Sequence, residues 1–303
     1  MTDTTLTDAA DPLTREWQGP TPRQMLVSRV RGHTGLLIGV GIVGLLAVIA
    51  ILAPVLAPHD PYAQSLMNRH VPPVFMGGSW DHPLGTDHLG RDYLSRLIYG
   101  ARVSLLIGTV AALISGLIGT AMGVAAGYFG GKVDMVVTFL INVRLAMPVV
   151  LVALAVVAIL GGSLTVVTCV LGLLLWDRFA VVMRASTLQV SRRDYVAAAR
   201  AIGASTPRIV LTEIMPNIFN NLIVVITLEM AHAILLEAAL SFLGLGVQPP
   251  TPSWGLMVSE GKDMMLFEPW LVLIPGIVLF LLVLAINLMG DGLRDVTAPE
   301  NRS

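Results

Sequence analysis

Residues 191–217 read SRRDYVAAARAIGASTPRIVLTEIMPN, an arginine-bearing loop set between two runs too apolar for water. Ser191, with Asp194 three residues on, has the pattern of a helix-starting capping box. Tyr195 to Ile202 is a short helical run, and Gly203 suits the position after a helix end where φ must be positive. Ser205 is placed to cap a second helix that tolerates Pro207 in its first turn. The stretch is therefore expected to fold as helix, glycine turn, helix, lying at a membrane surface. Ala197, Ala198, Ala199 and Ala201 would let another protein approach the backbone closely, while Arg192, Arg193, Arg200 and Arg208 could pair with its acidic groups. The plainer alternative is an ordinary positively charged inner loop.

Outward from the loop, apolar stretches long enough to cross hydrocarbon fall at about 34–57, 102–126, 145–163, 217–243 and 270–290. A sixth, about 164–183, is interrupted by Asp177 and Arg178, which read as a local ion pair near its inner end beside Trp176. Gly161-Gly162-Ser163 separates the third and fourth as a tight turn. Six spans put both termini on one side. With that side inside, inner segments hold twelve Lys and Arg residues and outer segments hold five, Arg69, Arg91, Arg96, Arg102 and Lys262. The expectation is an all-α polytopic membrane protein, N-in and C-in.

Composition agrees. The chain is 55% hydrophobic and only 13% charged, half the charge of a typical soluble domain. A formal net charge of −1 leaves no basic excess for nucleic acid. A single cysteine, Cys169, excludes an internal disulfide and a cysteine metal cluster. Residues 1–24 are polar, have no apolar signal region and are expected to form a disordered tail. No nucleotide site is readable: GYFGGKVD, residues 127–134, lacks the first P-loop glycine and has Val133 where Ser or Thr must meet Mg²⁺. No metal site is expected.

Within the spans, Gly119, Gly123 and Gly127 recur every fourth residue, a spacing that serves close helix packing. Glu229, His232 and Glu237 lie on one span, and Arg144 lies in another just before Met147-Pro148. Ionisable groups in hydrocarbon are costly, so each is a candidate for a solute pathway or a polar interface.

The loop resembles the EAA loop of ATP-binding-cassette (ABC) importer permeases, with Ala197-Ala198-Ala199, Gly203 and Pro216 at the family's spacings and Ala197 in place of its leading Glu. HPLGTDHLGRDYLSRLIYGARVSLLIG (82–108), EAALSFLGLGVQPPTPSWG (237–255) and NLMGDGLRD (287–295) resemble stretches of the dipeptide, oligopeptide and nickel permeases of the "C" type. The likeness runs over roughly residues 30–298.

The resemblance implies a type I importer core. It divides the chain into a cytoplasmic tail (1–32), a first transmembrane helix (33–57), an extracytoplasmic segment (58–101), a five-helix core (102–295) holding the coupling loop (190–216), and a C-terminal tail (296–303). It further implies a second permease as heterodimer partner, two ATPase subunits that bind ATP and Mg, an extracytoplasmic binding protein, and a cell-membrane location with lipid around the spans. Tyr195, Ala197, Ala198, Ala199, Arg200, Gly203, Arg208 and Pro216 would then form the ATPase-coupling site, and this chain itself would catalyse nothing and hold no cofactor. The cargo would be short peptides, with nickel, glutathione or another small solute as near alternatives. A rival from another class is a proton-coupled transporter working through Glu229, His232 and Glu237.

Overall fold

The computed structural model describes residues 22–297, and every regular element in that range is helical. The expected tail, apart from its last turns, lies outside the described residues, as do Arg15 and Arg302. Helix α1 (Pro22–Gly32) leads into α2 (Thr34–Ile51), which His33 caps by accepting from Leu36 N. The first span stops at Ile51 rather than 57, because Pro54 starts a separate short helix, α3 (Ala53–Leu56). Five helical stretches are long and apolar enough to cross a membrane, six if one bent pair counts as a span.

The second span differs most from expectation. Helix α4 (Tyr93–Phe129) begins nine residues before hydropathy places it, at Asp92, whose carboxylate accepts from Ser95 N at 2.8 Å. Its first turns carry Ser95 and Arg96, which look like loop residues in the sequence. Both are buried against protein rather than lipid. At about 1.5 Å per residue α4 is roughly 55 Å long, well beyond a hydrocarbon core of about 30 Å.

The third span, expected straight from 145 to 163, is instead α5 (Gly131–Ala146) and α6 (Val149–Leu160), bent by 83°. Pro148 stands at the break and cannot continue the hydrogen-bond ladder. Gly161, at φ +90°, and Ser163, which caps by accepting from Val166 N, then turn the chain into α7 (Leu164–Leu174). After an interruption at Leu175, α8 (Trp176–Ser191) carries the fourth span past its expected end at 183. The loop holds α9 (Asp194–Ala201) and α10 (Thr206–Arg208). A π-helical turn, Ile209–Ile214, joins α10 to α11 (Met215–Phe242). Pro216 lacks an N–H and crowds the carbonyl of the preceding turn, which accounts for the wide turn just before it. Helices α12 (Trp254–Gly261) and α13 (Trp270–Thr297) complete the chain.

Packing follows small residues. On α4 an added Cβ at Gly123 would lie 2.6 Å from the carbonyl oxygen of Ala180, and one at Gly127 would lie 2.7 Å from that of Arg184, so α4 and α8 touch backbone to backbone; Gly119 meets α8 in the same way. The N-terminal span rests on α13, where a Cβ at Gly39 would come within 2.7 Å of Met289 N. A core of Ile107, Val157, Leu171, Ala233 and Leu240 binds α4, α6, α7 and α11 together. Outward faces stay apolar, with Leu45, Ile51, Ile159 and Phe280 all more than half exposed, as a bilayer solvent requires.

Candidate functional site

The loop between α8 and α11 is largely exposed. Ser191 ends α8 and donates to Leu188 O at 3.1 Å, so the expected capping box does not form; Arg193 takes the N-cap position with no side-chain bond. Ser205 sits at the next N-cap, also without a side-chain bond. Gly203 adopts φ +81°, and Ala204 N closes the turn onto Ala199 O at 3.1 Å. From α9 only Val196 is fully buried, packing with Ile209 and Ile214, while Tyr195, Ala197, Ala198 and Arg200 are exposed and Ile202 is 85% exposed. The Arg200 guanidinium lies 4.8 Å over the Tyr128 ring at the end of α4. Beside this, Ala199, Gly203, Ala204, Arg208 and Glu213 border a cavity of about 240 Å³. Pro216 lies beyond it, exposed at the start of α11.

A second polar place lies within the spans. Arg144, Asp177, Arg178, Glu229 and His232 border one cavity of about 170 Å³. Arg178 donates to Glu229 at 3.1 Å, and His232 Nδ1 lies 3.3 Å from the other oxygen of the same carboxylate. Glu229 is 1% exposed, so its charge is held by those neighbours and not by water. Arg144 donates to Leu174 O at 2.7 Å, across the break between α7 and α8. The expected Asp177–Arg178 pair is replaced by this longer-range one, and Arg178 lies well inside the span because α8 runs on to Ser191.

Glu237 does not join them. Two turns further along α11, it accepts from Ser241 at 2.7 Å and from Ser253 at 2.8 Å. Ser253 in turn caps α12, and Trp254 donates to Leu97 O at 2.9 Å. Glu229, His232 and Glu237 therefore do not make one relay.

The outer ends are clasped by a buried ion network. Arg91 donates to Asp87 at 2.6 Å and to Glu260 at 3.0 Å, while Arg96 reaches the other Glu260 oxygen at 2.6 Å. Both arginine side chains are at most 2% exposed. His82 Nδ1 lies 2.9 Å from Asp92, tying the same segment to the start of α4. In the sequence Arg91 and Arg96 stand out only as outer basic residues, with no partner to assign them. Arg91, Asp92 and Arg96 crowded at the edge of an apolar run were the available signal.

A helical chain with an exposed helix–glycine–helix loop between its fourth and fifth spans can be compared with known proteins directly. The family described as "Binding-protein-dependent transport system inner membrane component" matches residues 119–302, more than half the chain. The chain belongs to this family. The "N-terminal TM domain of oligopeptide transport permease C" matches residues 21–73 of the same permease. Among curated relatives, the dipeptide transport system permease protein DppC of Haemophilus influenzae is 40% identical, with 99% of each chain covered. The di/tripeptide transport system permease protein DppC of Pseudomonas aeruginosa is 42% identical, with 93% of each covered. A chain of the inward-facing MetNI methionine ABC transporter superposes with a TM-score of 0.57 at 18% identity, covering 67% of this chain and 97% of that one, which places the permease in the type I importer fold. The permease is thus an inner-membrane transport component of the ABC importer class, as the three sequence motifs imply.

Proposed function

We propose that this permease forms one half of the translocation pathway of an ATP-driven importer of short peptides, with a sister permease as the other half. Two partner ATPases bind and hydrolyse ATP, and an extracytoplasmic binding protein delivers the cargo. The observation that carries this reading is the coupling segment. Helix α9 turns Tyr195, Ala197, Ala198 and Ile202 outward, although the bundle gains nothing from leaving them bare. An ATPase cleft that accepts this helix explains both the exposure and the small side chains. Peptide cargo is supported by the names of relatives that align along almost the whole chain.

Closure of the ATPase pair would push on α9 and tilt the helices joined to it. The membrane assembly would then switch between two states whose balance ATP sets. Arg208 stands at the start of the long α10–α11 stretch and would contact the cleft edge.

Affinity purification from mild detergent tests the reading. Recovery of a second permease and a P-loop ATPase, with ATP-dependent uptake of a labelled dipeptide after reconstitution, is the expected result. A chain that purifies alone, with uptake that persists without ATP and collapses with the proton gradient, would sink it.

A further inference from the structure

The intramembrane cavity lies where two helices break. One break separates α5 from α6 at Met147-Pro148, where they bend by 83°, and the other separates α7 from α8 at Leu175; each falls in the interior of an apolar helical stretch. Backbone freed at such breaks has no water to bond to inside hydrocarbon and is tolerated only where protein or a wet cavity receives it. Arg144 supplies that here. Its Nε donates to Leu174 O at 2.7 Å and its Nη1 to Met147 O at 3.4 Å, so one guanidinium staples both interruptions.

Arg178 is different. Its side chain is 59% exposed in mid-span, and one of its nitrogens bonds Glu229 at 3.1 Å. The carboxylate of Glu229 is buried and has both oxygens engaged, one by Arg178 and one by His232. The guanidinium therefore keeps N–H donors directed away from Glu229, on a surface where lipid would be intolerable. Discontinuous helices meeting at a charged cavity near the midplane are the setting in which membrane carriers hold cargo.

We propose that Arg178 is the carboxylate-binding group of a substrate subsite, receiving the C-terminal carboxylate of a short peptide on its way between the two permeases. This rests on the reading of the chain as half of a peptide pathway. A planar guanidinium matches a carboxylate with two parallel hydrogen bonds. The cavity measures about 170 Å³. That is room for a carboxylate and the residue bearing it. Glu229 already offsets part of the Arg178 charge, so a carboxylate arriving at the remaining donors is held weakly. Weak holding suits transit, since a pathway site must release what it admits.

The test uses the complete transporter, binding protein included, in proteoliposomes. ATP-dependent initial uptake of dialanine and of its C-terminal amide, each at saturating concentration, gives a ratio. The same binding protein serves every variant, so its own preference cancels when ratios are compared. The informative variant is Arg178→Gln with Glu229→Gln, which removes both charges and leaves neither buried alone; Arg178→Lys keeps the charge and loses the fork. The double variant, recovered as an intact complex, should lower the acid-over-amide ratio about tenfold, the scale of one charge-assisted hydrogen bond, with Lys in between. A ratio unchanged from wild type, or both rates falling equally, overturns the subsite. So does loss of the sister permease from the double variant, which would make Arg178 an interface contact. Failure of the wild type to take up dialanine, while the binding protein still stimulates its ATPase, would overturn the peptide reading and the subsite with it.

Discussion

The guanidinium of Arg200 lies 4.8 Å above the ring of Tyr128, so the exposed helix α9 is fastened to the C-terminal end of α4. A contact of this kind is worth about 0.5–2 kcal/mol. It holds the position of α9 more than the stability of the bundle. Tyr128→Ala should let α9 shift, lowering peptide moved per ATP hydrolysed several-fold while Tyr128→Phe keeps most of it. Transport and phosphate release measured on the same proteoliposomes decide this. An unchanged ratio in Tyr128→Ala would remove Arg200 from the coupling path.

Gly203 has φ +81°, and nothing lies within 4 Å of where its Cβ would be. Substitution therefore acts through the backbone alone. A β-branched residue is strongly disfavoured there, at a cost of at least about 1–2 kcal/mol. Gly203→Val should insert in the membrane normally yet lose ATPase association and uptake, whereas Gly203→Asn, which tolerates the left-handed region, should retain a large part of both. Pull-down of the ATPase with each variant checks it; full recovery with Val would refute the coupling role of the turn.

Gly123 and Gly41 make a paired comparison. A Cβ at Gly123 would sit 2.6 Å from a backbone oxygen of α8, while one at Gly41 meets nothing. Gly123→Ala should cost about 1–3 kcal/mol and lower the melting temperature in detergent. Gly41→Ala should be neutral or slightly stabilising, because alanine is the better helix former. Equal melting temperatures would mean that the approach of α4 to α8 is looser than described.

Glu260 faces two buried arginines at 3.0 and 2.6 Å. Glu260→Ala leaves Asp87 as the one carboxylate against two buried arginines, so one positive charge is uncompensated, at about 3–5 kcal/mol. The expected result is early proteolysis within residues 58–92 of the folded transporter, before any cut in the coupling segment. Protection equal to wild type would show that His82, Asp92 and Trp254 hold the outer segment without the network.

Much of this was readable in the sequence, because a bilayer imposes long apolar runs and Gly203 has few structural uses. The start of α4 was not. Ser95 and Arg96 count as polar in any hydropathy window, yet both are buried, Arg96 against Glu260 from a distant part of the chain and Ser95 accepting from His59 N. The bend at Pro148 is visible as a proline, but not as the meeting point with Leu175, which Arg144 bridges from a distance in sequence. Glu229 and His232 stood out as charges in a span. Arg178 stands beside Asp177 in the sequence, whereas its partner Glu229 sits on another helix.

Helix α4 runs unbroken from Asp92, inside the outer clasp, to Tyr128, under Arg200. On the proposed assembly it is a pushrod between two machines that never touch. A load applied at the outer end by a docking binding protein would reach the ATPases with no slack to take up. Reciprocity then follows, since two ligands bearing on one rod must alter each other's affinity by the same factor. Nucleotide in the cytoplasm and cargo outside the cell would sense one another through a single length of backbone.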